Sequence, residues 1–96
     1  MVTGRPDERV ICRITMTARH APTGNTRHLD GVTGEEFPPP IELRIVQYAG
    51  DPGFYLFYCD ETGAEFTDTY HDTLEGAKAQ AAFEFNVQPN EWTAAV

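Results

Sequence analysis

Four residues that could carry chemistry crowd into one short stretch. Asp68, Tyr70, His71 and Asp72 stand where a strand-like run gives way to a helix-like run. A histidine beside carboxylates has its charged form favoured and titrates near neutral pH. The first turn of a helix adds unpaired backbone N–H groups, which attract anions. Tyr70, His71 and Asp72 are therefore the candidate residues of a small-ligand or anion site, with an enzymatic role as its extension. Catalysis would also need a nucleophile with a base beside it, and none is evident. Adjacent strand residues, moreover, point to opposite sides.

Metal chemistry finds less support. His20, His28 and His71, with Cys12 and Cys59, lack the close spacing of zinc sites. Asp60 and Glu61 lack the ligand ladder of a calcium loop. No metal and no cofactor is expected. Each cysteine lies inside a strand-like run and reads as a buried, reduced thiol, with a disulfide between neighbouring strands as the alternative. Thr23-Gly24-Asn25-Thr26 is not followed by the lysine of a phosphate loop.

Charge is more informative. Residues 1–50 carry Arg5, Arg9, Arg13, Arg19, Arg27 and Arg44 against Asp7, Glu8, Asp30, Glu35, Glu36 and Glu42, which cancel. The net charge of −8 therefore sits wholly in residues 51–96. That half repels a phosphate backbone and steers a basic protein. Arg9, Arg13, Arg19, Arg27 and His28 form a local basic patch, but the acidity elsewhere makes nucleic acid an unfavourable partner. The 96 residues suit one domain, 1–96, and no run approaches the ~20 apolar residues of a membrane helix. The first residues lack the apolar segment of a secretory signal, so a cytoplasmic setting is expected.

The elements that must position these side chains follow from periodicity. Residues 1–8 read as a frayed polar tail. Arg9–Arg19 alternates, with Val10, Cys12, Ile14, Met16 and Ala18 on the buried face. Residues 20–40 form a long loop with Gly24, Gly31, Gly34 and Pro38-Pro39-Pro40, which Val32 and Phe37 could tack down. Ile41–Ala49 is a second strand burying Ile41, Leu43 and Ile45. Phe54–Cys59 is a third, apolar on both faces, as a central strand should be. Asp60-Glu61-Thr62-Gly63 is a hairpin turn. Ala64–Tyr70 is an edge-like fourth strand, with Ala64, Phe66, Asp68 and Tyr70 on one face. Asp72 caps a helix, with Glu75 completing a capping box. Leu74, Ala77, Ala81 and Phe85 share the helix's apolar stripe, and Asn86 ends it. Phe83 falls off that stripe, to be covered by Val87 and Trp92 of a short C-terminal turn or to face a partner.

Within Tyr55–Phe85 the spelling Tyr-Leu-Phe-Tyr-Cys-Asp-Glu-x-Gly, then Thr-Asp-Thr-x-His-x-Thr-Leu-x-x-Ala, then Gln-Ala-x-x-Glu-Phe, resembles a family of small uncharacterised bacterial proteins. In that family a hairpin with an Asp-Thr-x-His step feeds a helix, and a tryptophan follows, as Trp92 does here. The stretch is also loosely similar to the small acidic immunity proteins of bacterial toxin systems. The resemblance covers about a third of the chain. It implies the hairpin–helix fold and a bacterial cytosolic setting, and it brings no catalytic residues.

The expected fold is α+β: an antiparallel sheet of about four strands, in the order β-long loop-β-β-β-α, with one helix on one face and a short C-terminal turn. The expected function is non-catalytic protein binding, immunity- or inhibitor-like, toward a basic partner. Asp60, Glu61, Asp68 and Asp72 would supply the charge, with Phe83 or Trp92 as anchor. The alternatives are the ligand or anion site near His71 and a structural homodimer paired through the first strand.

Overall fold

The computed structural model describes residues 8–94. The expected N-terminal tail lies outside them, except that Glu8 already belongs to a strand. The strands are β1 (Glu8–Thr15), β2 (Glu42–Tyr48), β3 (Phe54–Cys59), β4 (Glu65–His71) and β5 (Thr93–Ala94), with one helix, α1 (Leu74–Phe85). Short 3-10 turns cover Ala18–His20 and Pro89–Glu91. The sheet order is β4-β3-β2-β1-β5, antiparallel throughout. The α+β architecture is thus as expected, with a two-residue fifth strand added where Thr93 and Ala94 pair with Arg13 and Cys12.

Short turns explain the β2–β3–β4 meander. Gly50 and Gly63 take positive φ, +82° and +84°, at the two hairpin bends. Asp60 closes the second bend by accepting the N–H groups of Thr62 and Ala64 on its carboxylate. The core lies between sheet and helix. Leu43, Ile45 and Leu56 are wholly buried there, with Cys12, Ile14 and Tyr58, under Ala77, Ala81 and Phe85 of α1. Burying each of the large aliphatic side chains contributes ~1.5–3 kcal/mol. Small alanines on the helix stripe let α1 lie close to the strands. A second, smaller cluster of Val46, Phe57 and Cys59 occupies the opposite face with Val10, Tyr48 and Tyr55, so β3 is apolar on both sides as its sequence required.

Several local expectations are corrected. A bulge between Val10 and Cys12 turns Val10 to the face opposite the helix, and β1 stops at Thr15. Ala18 is therefore not on the buried face; it is exposed and opens a 3-10 turn capped by Thr17. Ile41 precedes β2 and is half-exposed. The register shift beside Cys59 turns Phe66 to the helix side, whereas Asp68 and Tyr70 keep to the other face. The helix side of β4 carries Thr67, Thr69 and His71, because these pair with Tyr58, Leu56 and Phe54. The helix N-cap is Thr73, whose hydroxyl accepts the Gly76 N–H at 2.9 Å, and not Asp72. A capping box from Thr73 would need an acid at 76, where glycine stands. The helix does end at Phe85, with Asn86 left-handed at φ 58°.

The long connection is folded. Leu29 bridges Glu36, and Asp30 organises the bend between them by accepting from Val32 and Thr33. Phe37 does tack it down, against Phe66, while Val32 is almost fully exposed. The C-terminal turn does not cover Phe83, which stays 52% exposed. Val87 and Trp92 pack into the helix-side core instead. Cys12 and Cys59 are free, buried and on opposite faces of the sheet, which excludes a bond between them. Among the described residues, no helix is long and apolar enough to cross a membrane.

Candidate functional site

Glu84 stands on the buried stripe of α1, three residues after Ala81 and seven after Ala77. Helical spacing thus aims its carboxylate inward, and it is 3% exposed. Burying a carboxylate costs free energy unless donors surround it. Three do. His28 Nε2 lies 2.8 Å from Oε1, and Gln80 Nε2 donates to Oε2 at 2.8 Å. The Tyr58 hydroxyl also donates to Oε2. Because a carboxylate in this setting only accepts, the His28 proton is on Nε2.

Each donor comes from a different element. Tyr58 projects from the helix side of the interior strand β3. Gln80 sits one helical turn before Glu84. His28 arrives from the loop, held by Phe37 N–H donating to the His28 carbonyl at 2.8 Å. The loop is also pinned to the helix end: Thr23 N–H donates to the Glu84 carbonyl, and Thr23 Oγ1 and Asn25 Nδ2 donate to that of Phe83. These bonds satisfy carbonyls that the end of a helix leaves open.

Above this floor opens a cavity of about 350 Å³. Its walls are apolar: Pro22, Phe37, Pro38, Pro39, Pro40, Phe66 and Phe85. Its polar groups are Glu84, Tyr58, His28, Thr26 and, at the rim, Glu36. That volume is at the small end of the roughly 300–1,000 Å³ of ligand clefts, which combine apolar walls with a few convergent polar groups. Burial raises the Tyr58 phenol well above its usual range, and its bond to Glu84 raises it further. Tyr58 is therefore a neutral donor and no base. Neither cysteine lines the cavity, so no thiol nucleophile faces it.

The polar floor continues under the helix. Thr69 lies on the same face of the sheet as Tyr58, and its hydroxyl is 2.7 Å from His71 Nε2. Desolvation holds His71 below its usual pKa, and the pull of Glu84 and Asp72 only partly opposes it. The charged imidazole expected from neighbouring acids is thus disfavoured, because the ring is turned inward.

A second polar cluster fastens the C-terminal turn. Thr17 N–H donates to His20 Nδ1 at 3.0 Å, so the proton is on Nε2, which lies 2.8 Å from Glu91 Oε2. Arg19 pairs with the same carboxylate and holds it down at about 2.

The residues singled out from sequence do not converge. Asp60 is engaged in its own turn, and Glu61 is exposed beside it. Asp68 lies along β4 on the face away from the helix, and Asp72 lies beyond the strand's other end. Phe83 is exposed on α1. Trp92 is partly buried, its Nε1 without a partner among the described residues. Tyr70 and His71 occupy opposite faces, so Tyr70, His71 and Asp72 form no single site. Among the described residues, no three His, Cys, Asp or Glu side chains are placed to hold a metal ion. Glu84 and Tyr58 were not singled out, and His28 was named only among the histidines and in the basic patch. The available signal was a charge on the alanine stripe of α1. Nothing local in the sequence joins His28 to it across 56 positions. No family model, no curated protein and no solved structure matches this chain.

Proposed function

We propose that this chain is a small-molecule-binding protein of the cytoplasm, with its site in the cavity between α1, β3–β4 and the loop. One observation carries this reading: a buried carboxylate, held by three donors, lines a cavity whose walls are mostly apolar. An apolar residue at 84 would continue the alanine stripe without the desolvation cost. A carboxylate in the lining of a cavity is the kind of polar group that fixes a ligand's orientation. With no thiol in the cavity and a phenol held neutral, the reading is one of holding a molecule and not of transforming it. Screening small fragments by two-dimensional NMR tests it. The expected result is a set of compounds that shift the amides of His28, Phe37, Tyr58, Phe66 and Phe85 together. Thr26→Trp, which fills the mouth, should abolish those shifts while the rest of the spectrum persists. A screen without hits at this cluster would overturn the proposal.

A second reading keeps the chain as a partner-binding protein, anchored by Phe83. What supports it is the 52% exposure of that ring on an otherwise regular helix. It would be lost if Phe83→Ser left binding of a basic partner unchanged.

A further inference from the structure

We infer that the cavity takes a small organic cation, an amine or guanidinium on an apolar body; this deepens the ligand-binding reading and rests on it. The first argument is acceptor capacity. Among the described residues, Oε2 of Glu84 receives two hydrogen bonds, from Tyr58 and Gln80, and Oε1 receives one, from His28. A carboxylate oxygen accepts two. One acceptor position therefore remains on the atom group that floors the cavity.

The second argument is the sign of the lining. Glu84 and Glu36 contribute carboxylates, and among the described residues no lysine or arginine lines the cavity. Arg27 lies 3.5 Å from Glu36, but both are exposed at the rim, so discrimination falls to Glu84. An anion would meet Glu84 without compensation. A neutral apolar molecule would strip water from the open acceptor and leave it unmet. A cation meets both demands. The third argument is the walls. Phe37 and Phe66 both line the cavity, their ring centroids 5.4 Å apart, and aromatic rings attract a positive charge as well as an apolar body. A net charge of −8 raises the local concentration of cations around the whole molecule.

Three probes of one shape separate the possibilities: phenethylamine, 2-phenylethanol and phenylacetate, each titrated into the native chain and followed at the cavity amides by NMR. The amine should bind at least about tenfold more tightly than the alcohol, and phenylacetate most weakly. Glu84→Gln should bring amine and alcohol level. If the alcohol or the acid equals the amine in the native chain, the cation assignment is overturned and the cavity reading stands. If none of the three shifts the cavity amides, both are overturned. Should Glu84→Gln fail to fold, the three-way ranking in the native chain decides alone.

Discussion

The ring of His28 lies 4.6 Å from that of Tyr58, tilted by 53°, and both side chains bond to the same carboxylate, Glu84. One residue comes from a loop, one from the interior strand β3, and the acceptor from the helix. The contact therefore joins three parts of the fold through a single buried group.

Removing that group should be costly. Glu84→Ala leaves the donors of Tyr58, His28 and Gln80 unmet, and roughly 3–5 kcal/mol of stability should be lost in urea unfolding. Tyr58→Phe should cost about 1 kcal/mol in the native chain and almost nothing in the Glu84→Ala background. Equal costs in both backgrounds would show that the hydroxyl does not depend on the carboxylate.

Glu91 sets part of the acid limb. Its pKa falls from 4.5 to about 2 in the folded chain, chiefly through Arg19. A depressed carboxylate stabilises above its unfolded pKa and loses that contribution as pH falls through the folded one. The stability gap between the native chain and Glu91→Gln should be full above about pH 5 and close as the pH approaches 2. A gap that does not change over this range in pH-dependent unfolding would contradict the pairing.

Tyr70 depends on the absence of a side chain at 53. A Cβ there would overlap the Tyr70 ring and its hydroxyl. Gly53→Ala should expel the ring from its edge contact with Tyr55 and from Asp51, costing roughly 1–2 kcal/mol. In a Tyr70→Ala background most of that cost should vanish, which a double-mutant cycle measures directly.

The helix start offers a further check. Thr73→Ala should cost about 1 kcal/mol, whereas Asp72→Ala should change stability by less than about 0.5 kcal/mol. Gly76→Ala should yield less than the ~1 kcal/mol usual for that change in a helix. The new methyl would lie 3.1 Å from the capping hydroxyl of Thr73. Thermal unfolding of the three variants ranks them.

Much of the frame was legible because it obeys local rules. The two apolar faces of Phe54–Cys59 announced a central strand, and Asn86 announced the helix end. Where the reading slipped, one inserted residue was enough: the bulge before Cys12 sends Val10 across the sheet, and strict alternation has no means of seeing it. The cap went to Asp72 because Asp and Thr are both good caps one position apart, and only the backbone of Thr73 decides. The cavity was invisible for a different reason. Its floor is a long-range meeting of His28, Tyr58 and Glu84, and a loop without periodicity gives no sign of where it lands.

That loop also bears on how the chain folds. β1 and β2 are neighbours in the sheet but stand on either side of the longest connection, whereas short turns link β2, β3, β4 and α1. Closing a long connection costs chain entropy before its pairing can offset it. The meander and helix should therefore condense first, with β1 and the loop docking late. Tyr58, Phe66 and Glu84 belong to the early part; His28 and Phe37 belong to the late one. The cavity is completed at the final step, so a molecule seated in it should retard unfolding and leave the folding rate nearly unchanged.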